Sequence, residues 1–205
     1  MNVLLLNGSP HKTGSCYRAL CEMTKIFDAN KVAWEIIDVG SKPVIGCMGC
    51  YACADLKKCV VEDSVNEVAL KFEKADALVV ASPVYYANAN ATLIAFLDRL
   101  FFANRFDKRM KVGASVVAAR RGGLSATFDQ LNKYFTISGM PIASSQYWNS
   151  VHGNNAKEVE SDLEGLQCMR TLAQNICFLI KSIELGKQEF GLPPKEEVIR
   201  TSFVR

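Results

Sequence analysis

"MNVLLLNGSPHKTGSCYRAL", residues 1–20, runs from an apolar segment at Val3–Leu6 through a loop of small polar residues into a helical pattern that begins near residue 15. A short buried strand, a polar loop and a helix in that order form the first half of a β-α-β unit. In a parallel α/β sheet, ligands bind outside the carboxyl ends of the strands. There a helix N-terminus offers unpaired N–H groups and the positive end of its dipole. Ser9, His11, Thr13, Gly14 and Ser15 then read as an anion cradle. The hydroxyls add donors, Gly14 lets the backbone come close, and Pro10 holds the entry of the loop. A plain turn rich in small polar residues is the competing explanation.

The rest of the chain repeats the alternation. Apolar runs at 3–6, 32–39, 77–81, 112–119 and 141–144 predict five buried strands, separated by helical patterns at 15–28, 63–74, 90–103, 124–135 and 157–185. Alternating strands and helices imply a parallel sheet covered by helices on both faces. No internal repeat or Gly/Ser linker divides the chain, so one domain is expected over 1–185. The cysteine-rich loop at 43–60 and the tail at 186–205 break the pattern. The tail carries too little periodic apolar content to fold alone and is expected to wrap a partner subunit.

The first loop lacks G-x-G-x-x-G and lacks the Gly-Lys-Ser/Thr of a P-loop, which disfavours a dinucleotide and a nucleoside triphosphate and leaves the phosphate of flavin mononucleotide. Two further loops fall at the same sheet edge by chain order. "SPVYYANANATLIAFLDR", 82–99, offers Pro83, Val84, Tyr85 and Tyr86 as an apolar and aromatic wall for a flat ring. "AARRGG", 118–123, brings Arg120 and Arg121 together with Gly122 and Gly123 near an anion. Either loop alone reads as ordinary surface; three at one edge read as a site.

"CMGCYACADLKKC", 47–59, places Cys47, Cys50 and Cys53 at two-residue spacing and Cys59 five residues later. Structural zinc sites separate their Cys-x-x-Cys knuckles by a dozen residues or more. The compact spacing instead resembles the way ferredoxin cysteines wrap a cubane. A single [4Fe-4S] centre is the reading that spacing favours, with metal-free thiols and zinc as alternatives. Of the 8 cysteines, Cys21, Cys168 and Cys177 read as small buried hydrophobes. Cys16 falls at a helix N-terminus, where a thiolate would be stabilised.

Hydrophobic residues make up 49% and charged residues 22%, ordinary for a globular protein, and a net charge of +3 gives no footprint for nucleic acid. No basic leader or apolar run of spanning length is present, so a cytoplasmic protein without membrane association is expected. His152 reads as loop filler for want of a Ser or Asp partner. Tyr147 and Trp148, just past the expected fifth strand, read as a roof over the ring or as a subunit contact.

The segments "NGSPHKTGS", "SPVYYANANATLIAFLDR" and "AARRGG" resemble the NADPH-dependent FMN reductase family, and "CMGCYACADLKKC" is similar to the compact cysteine motif of its iron-sulfur flavoprotein branch. The resemblance extends from residue 1 to about 185. It implies a flavodoxin-like three-layer sandwich with a five-stranded parallel sheet, FMN as cofactor, NAD(P)H as a possible electron donor, and assembly as a homodimer or homotetramer. By position, Ser9, His11, Thr13, Gly14, Ser15 and Cys16 would hold the phosphate and ribityl chain. Pro83, Val84, Tyr85, Tyr86 and Ala87 would line the ring, with Arg120, Arg121, Gly122 and Gly123 along its other edge. Cys47, Cys50, Cys53 and Cys59 would hold the cluster.

Three functions follow. The first is a redox protein passing electrons between FMN and a [4Fe-4S] centre or small acceptors, with a small carrier such as ferredoxin as a possible partner. The second is an NAD(P)H-dependent FMN or quinone reductase without a cluster. The third, a non-catalytic flavin- or metal-sensing protein, has least support. No catalytic side chain is assigned, because in such chemistry the protein supplies binding, orientation and electrostatics.

Overall fold

The computed structural model describes residues 1–203. Its elements in chain order are β1 (Asn2–Asn7), α1 (Ser15–Ala29), β2 (Ala33–Asp38), α2 (Cys53–Leu56), α3 (Ser64–Lys74), β3 (Ala77–Tyr85), β4 (Asn88–Ala89), α4 (Ala91–Ala103), β5 (Val112–Ala119), α5 (Leu124–Ile137), β6 (Ser150–His152), α6 (Ala156–Ser161) and α7 (Leu163–Phe190). Five strands run parallel in the order β2-β1-β3-β5-β6, and the short β4 folds back antiparallel on the end of β3. This is the doubly wound order of flavodoxin-like sheets, in which the chain reverses direction between β1 and β3.

The layers follow from the period-two alternation of the strands. In β1, Val3 and Leu5 enter a core with α1, α6 and α7, while Leu4 and Leu6 enter a second core with α3, α4 and α5. β5 is buried along its whole length, and β3 is buried until its last three residues emerge at the carboxyl edge of the sheet. Among the described residues no helix is long and apolar enough to cross a membrane.

The five predicted helices are present, with two refinements to the last, and the structure adds a single turn, α2, inside the cysteine loop. The last one breaks at Asp162, whose side chain accepts from the Gly165 N–H and caps α7. It then continues to Phe190, so the first residues of the expected tail are helical. Residues 191–203 are exposed and without regular structure, and residues 204–205 of the expected tail lie outside the described residues.

The fifth strand is a correction. Pro141–Ser144 forms only a single bridge, Gly113 to Ile142, and the strand proper is Ser150–His152, paired with Val117–Ala119. Both segments border β5, one near its start and one near its end. The apolar run at 141–144 is the stronger local signal, but the pairing that completes the carboxyl edge belongs to a segment of three residues, too short to show a period.

Candidate functional site

A cleft of about 550 Å³ opens at the carboxyl edge of the sheet, within the size range of ligand pockets. One side is the loop after β1. Asn7, fully buried at the strand end, organises it. Its Oδ1 accepts from the Ser9 N–H at 3.2 Å, and its Nδ2 donates to Asp38 Oδ1 at 2.8 Å and to the Lys12 carbonyl at 3.4 Å. The Ser9 hydroxyl accepts from the His11 N–H at 3.1 Å, and the Gly14 N–H closes the turn on the His11 carbonyl at 3.2 Å. The N-cap of α1 is Gly14, which has no side chain to cap the helix, and Gly14, Ser15 and Cys16 at this end all line the cleft.

Ser9, His11, Thr13, Gly14, Ser15 and Cys16 all line the cleft, as do Pro83, Val84, Tyr85 and Arg120. Five expected residues lie outside that lining. Tyr86 and Ala87 form the left-handed turn between β3 and β4, with Tyr86 fully exposed. Arg121 and Gly122 are exposed beside the cleft mouth. Gly123 stands at the N-terminus of α5 with φ of +85°, where a Cβ would meet Val84 Cγ1 at 2.9 Å, so it backs the wall without lining it. Tyr147 and Trp148 are also outside the lining, stacked edge-to-face on each other.

The structure adds Ala118, Ala119 and the loop Gly153–Ala156. The Ser15 hydroxyl donates to the Gly153 carbonyl at 3.0 Å, tying this loop to the start of α1. The sequence signal was present: "GNN" precedes a helix at the same sheet edge. An expected fifth strand at 141–144 leaves this segment beyond the sheet edge, whereas the observed strand Ser150–His152 delivers it to the cleft. His152, next to this loop, does have a carboxylate partner: its Nδ1 lies 3.6 Å from Asp162 Oδ2.

Cys16 departs from the expected thiolate. It is 1% exposed within the core under α1, and burial pushes its thiol up to about 12, outweighing the backbone hydrogen bond that lowers it. It is an apolar floor to the cleft. Burial, and secondarily Cys16, raises the Tyr85 hydroxyl as well.

An uncapped helix end, clustered hydroxyls and an adjacent wall of Pro83, Val84 and Tyr85 suit a ligand with an anionic end and a flat apolar body. That chemistry matches FMN.

The cysteine loop lies against the C-terminal part of α4, beside Arg99, Phe102 and Ala103. Cys47, Cys50, Cys53 and Cys59 all line one small apolar pocket, and none is disulfide-bonded. Left-handed residues Gly49, Tyr51 and Lys57 turn the chain back on itself between the cysteines. A left-handed tyrosine costs on the order of 1–3 kcal/mol; here the Tyr51 ring packs on Phe102 with centroids 6.1 Å apart.

Cys59 is the most fixed of the four. Its N–H donates to Asn66 Oδ1 and its carbonyl accepts from Asn66 Nδ2, each at 3.0 Å. Its sulfur accepts from Arg99 Nε at 3.2 Å. Arg99 is in turn paired with Asp63, which also caps α3 by accepting from the Val65 N–H. Burial works against the charge of Asp63, yet the hydrogen bonds from Arg99 and Val65 hold its carboxyl below the usual value. Neither Arg99, Asp63 nor Asn66 was legible as part of this site.

Among the described residues, no group of three or more His, Cys, Asp or Glu side chains converges closely enough for a single metal ion. A cubane spreads its four thiolate ligands over the corners of a cage, where one zinc ion would draw all four to about 2.3 Å from one point. Four cysteines lining one pocket supply the all-thiolate donor set that such a cage takes.

The family model for NADPH-dependent FMN reductase matches residues 1–155. An iron-sulfur flavoprotein of Methanosarcina thermophila is 28% identical over 194 residues, covering 92% of this chain and all of the relative. One from Methanocaldococcus jannaschii is 28% identical over 192 residues, covering 90% of this chain and all of that one. Among solved structures, RosB with a bound formylriboflavin phosphate intermediate superposes with a TM-score of 0.72 at 13% identity, covering 100% of this chain and 92% of RosB. An archaeal flavodoxin does so at 0.60 and 14%, covering 88% of this chain and 99% of the flavodoxin. These likenesses establish the fold.

Proposed function

Because the chain belongs to the NADPH-dependent FMN reductase family, we propose that it binds FMN in the cleft at the carboxyl edge of the sheet and works as a flavin-dependent oxidoreductase of the iron-sulfur flavoprotein type. The observation that carries the reading is the joining of an uncapped α1 terminus to the wall Pro83–Tyr85 in one cleft. FMN, when bound, supplies electron exchange singly or as a hydride; a [4Fe-4S] centre supplies it singly.

The side chains divide the work. Ser9 and Thr13, with the backbone N–H of Ser15 at the start of α1, would hold the phosphate while the Ser15 hydroxyl stays on the Gly153 carbonyl, and Arg120 would add charge at the cleft rim. Pro83, Val84 and Tyr85 would exclude water from one side of the ring, and Asn154 and Asn155 face the cleft from the last loop. Cys47, Cys50, Cys53 and Cys59 would supply the thiolates. Relatives named iron-sulfur flavoprotein along nearly the whole chain support this assignment.

The two sites share no lining residue, and α4 connects them: its N-cap Asn90 bonds the phosphate loop, while Arg99 reaches the cysteines nine residues later. At 1.5 Å per residue that is about 14 Å along the helix. This independence also supports the second reading, a flavin-only NAD(P)H reductase with free thiols.

The proposal extends to NAD(P)H or a small electron carrier as donor, to a cytoplasmic location, and to a dimer or tetramer in which residues 191–203 bind a second copy through Leu192, Val198, Ile199 and Phe203, all exposed. Removing residues 191–205 should lower the assembly mass measured by light scattering.

Protein prepared without oxygen should carry flavin and about four irons and four sulfides per chain. Flavin without iron leaves only the second reading. Flavin that bleaches with neither NADPH nor NADH on rapid mixing excludes direct nicotinamide oxidation, and absence of flavin overturns both.

A further inference from the structure

We propose that Arg99, oriented by Asp63, is a positioning residue that sets the reduction potential of the group held by the four cysteines. The inference deepens the iron-sulfur reading above and rests on it. Arg99 is 1% exposed, on the buried face of α4 that otherwise carries Leu93, Phe96, Leu97, Leu100 and Ala103. Among the described residues it is the one charged side chain lining the cysteine pocket.

All of its donors point toward the cysteine loop and the segment that follows it. Nε donates to Cys59 Sγ at 3.2 Å. Nη1 donates to the Ile45 carbonyl at 3.2 Å and to Asp63 Oδ2 at 2.6 Å. Nη2 donates to the Val61 carbonyl at 3.2 Å and to Asp63 Oδ1 at 2.9 Å. The guanidinium thus grips the chain on both sides of the cysteines and presents its remaining N–H to sulfur.

A guanidinium buried in a core is costly even when paired with a half-buried carboxylate, and apolar residues of similar volume usually serve stability as well or better. The two-pronged contact with Asp63 explains the choice of arginine, because a planar fork held by a carboxylate fixes the direction of the third N–H. Asp63 is itself fixed by capping α3, and Asn66 fixes the Cys59 backbone, so the sulfur and its donor are each held from two sides.

Hydrogen bonds to cluster sulfurs are a main determinant of reduction potential. A donor aimed at Cys59 favours whichever form carries more negative charge, which is the reduced one. Asp63 offsets most of the net charge of Arg99, so the N–H dipole carries the effect. A lysine at this position would keep the charge and lose the fork.

Wild-type, R99Q and R99K proteins are reconstituted without oxygen with FMN, iron and sulfide, then titrated with a mediated reductant while the iron centre is followed by electron paramagnetic resonance. The expected result is retained FMN and iron, with the R99Q couple shifted roughly tenfold against reduction, about 59 mV for one electron. R99K should shift in the same direction by less. Iron-loaded variants that both titrate with the wild type overturn the assignment. Should R99Q not fold or not load iron, R99K decides alone: a lowered potential supports the role and an unchanged one overturns it. A wild type that binds FMN but takes up no iron overturns the iron-sulfur reading, and this one with it, a result separate from an unaltered potential in iron-loaded protein.

Discussion

Asn90 Nδ2 donates to the Gly8 carbonyl at 2.8 Å, joining the start of α4 to the loop after β1 across 82 residues of sequence. The same side chain caps α4 by accepting from the Thr92 N–H, and its own N–H donates to the Ser82 hydroxyl at 3.0 Å. One residue therefore sets the distance between the anion cradle and the wall of the cleft. Asn90→Ala removes the cap and leaves the Gly8 carbonyl unpaired, together about 2 kcal/mol. For a chain of this size that lowers the melting temperature by roughly 4–8 °C. FMN affinity measured by fluorescence quenching should fall about tenfold. Asn90→Asp, which keeps the cap and loses the donor, should recover stability more than affinity. Equal recovery of both would refute the linkage.

Gly40 gives a sharper test of the same loop. Its N–H donates to the Asn7 carbonyl, and a Cβ there would lie 2.1 Å from the Gly8 oxygen and 2.7 Å from the Ser9 carbonyl carbon. These are backbone atoms of the cradle, which cannot yield as a flexible side chain would. Gly40→Ala should cost about 3 kcal/mol in denaturant unfolding, at the upper end for overpacking, and should abolish tight FMN binding. Near-wild-type FMN affinity would show that the loop can shift without loss of its function.

Cys50→Ala tests the separation of the two sites. Cys50 lines the cysteine pocket and is exposed, and that pocket shares no residue with the cleft. Iron should drop to background while FMN content and flavin absorption stay within error of the wild type. Joint loss of iron and FMN would mean that the cysteine loop helps build the flavin site.

Glu22 should dominate one part of the acid response. Its side chain is 7% exposed and is met by Lys25, Arg170 and Arg18 at 2.7, 2.7 and 3.0 Å. Burial alone would raise its carboxyl, but the hydrogen bonds from those three cations outweigh it and lower the value to about 2. The folded value lies below the unfolded one, so the unfolded chain binds the proton more readily. The contribution is present above about pH 4.5 and is lost as pH falls toward about 2, on the order of 3 kcal/mol in all. Thermal melts should show this loss over that window. Glu22→Gln should flatten it and lower stability at pH 7, and an unchanged acid limb in the variant would assign the loss to other groups.

The fold was legible because its signals are local. Each of β1, β3 and β5 is built around a largely apolar run, and α3, α4 and α6 each follow an Asp or Asn cap that accepts a first-turn N–H. The cradle Ser9–Cys16 and the four cysteines are likewise contiguous, so spacing alone marked them.

Sequence by itself determined the alternation of strands and helices, the polar loop at the end of β1 and the run of closely spaced cysteines, since each is written within twenty residues. Only the tertiary structure decided which segment closes the sheet, and hence that Gly153–Asn155 rather than Tyr147 and Trp148 faces the cleft. It alone brought Arg99 and Asp63, 36 residues apart, onto Cys59. The reason is physical: a three-residue strand has no period to read, and the meaning of a charged residue in an apolar helix depends on what the opposite layer presents to it.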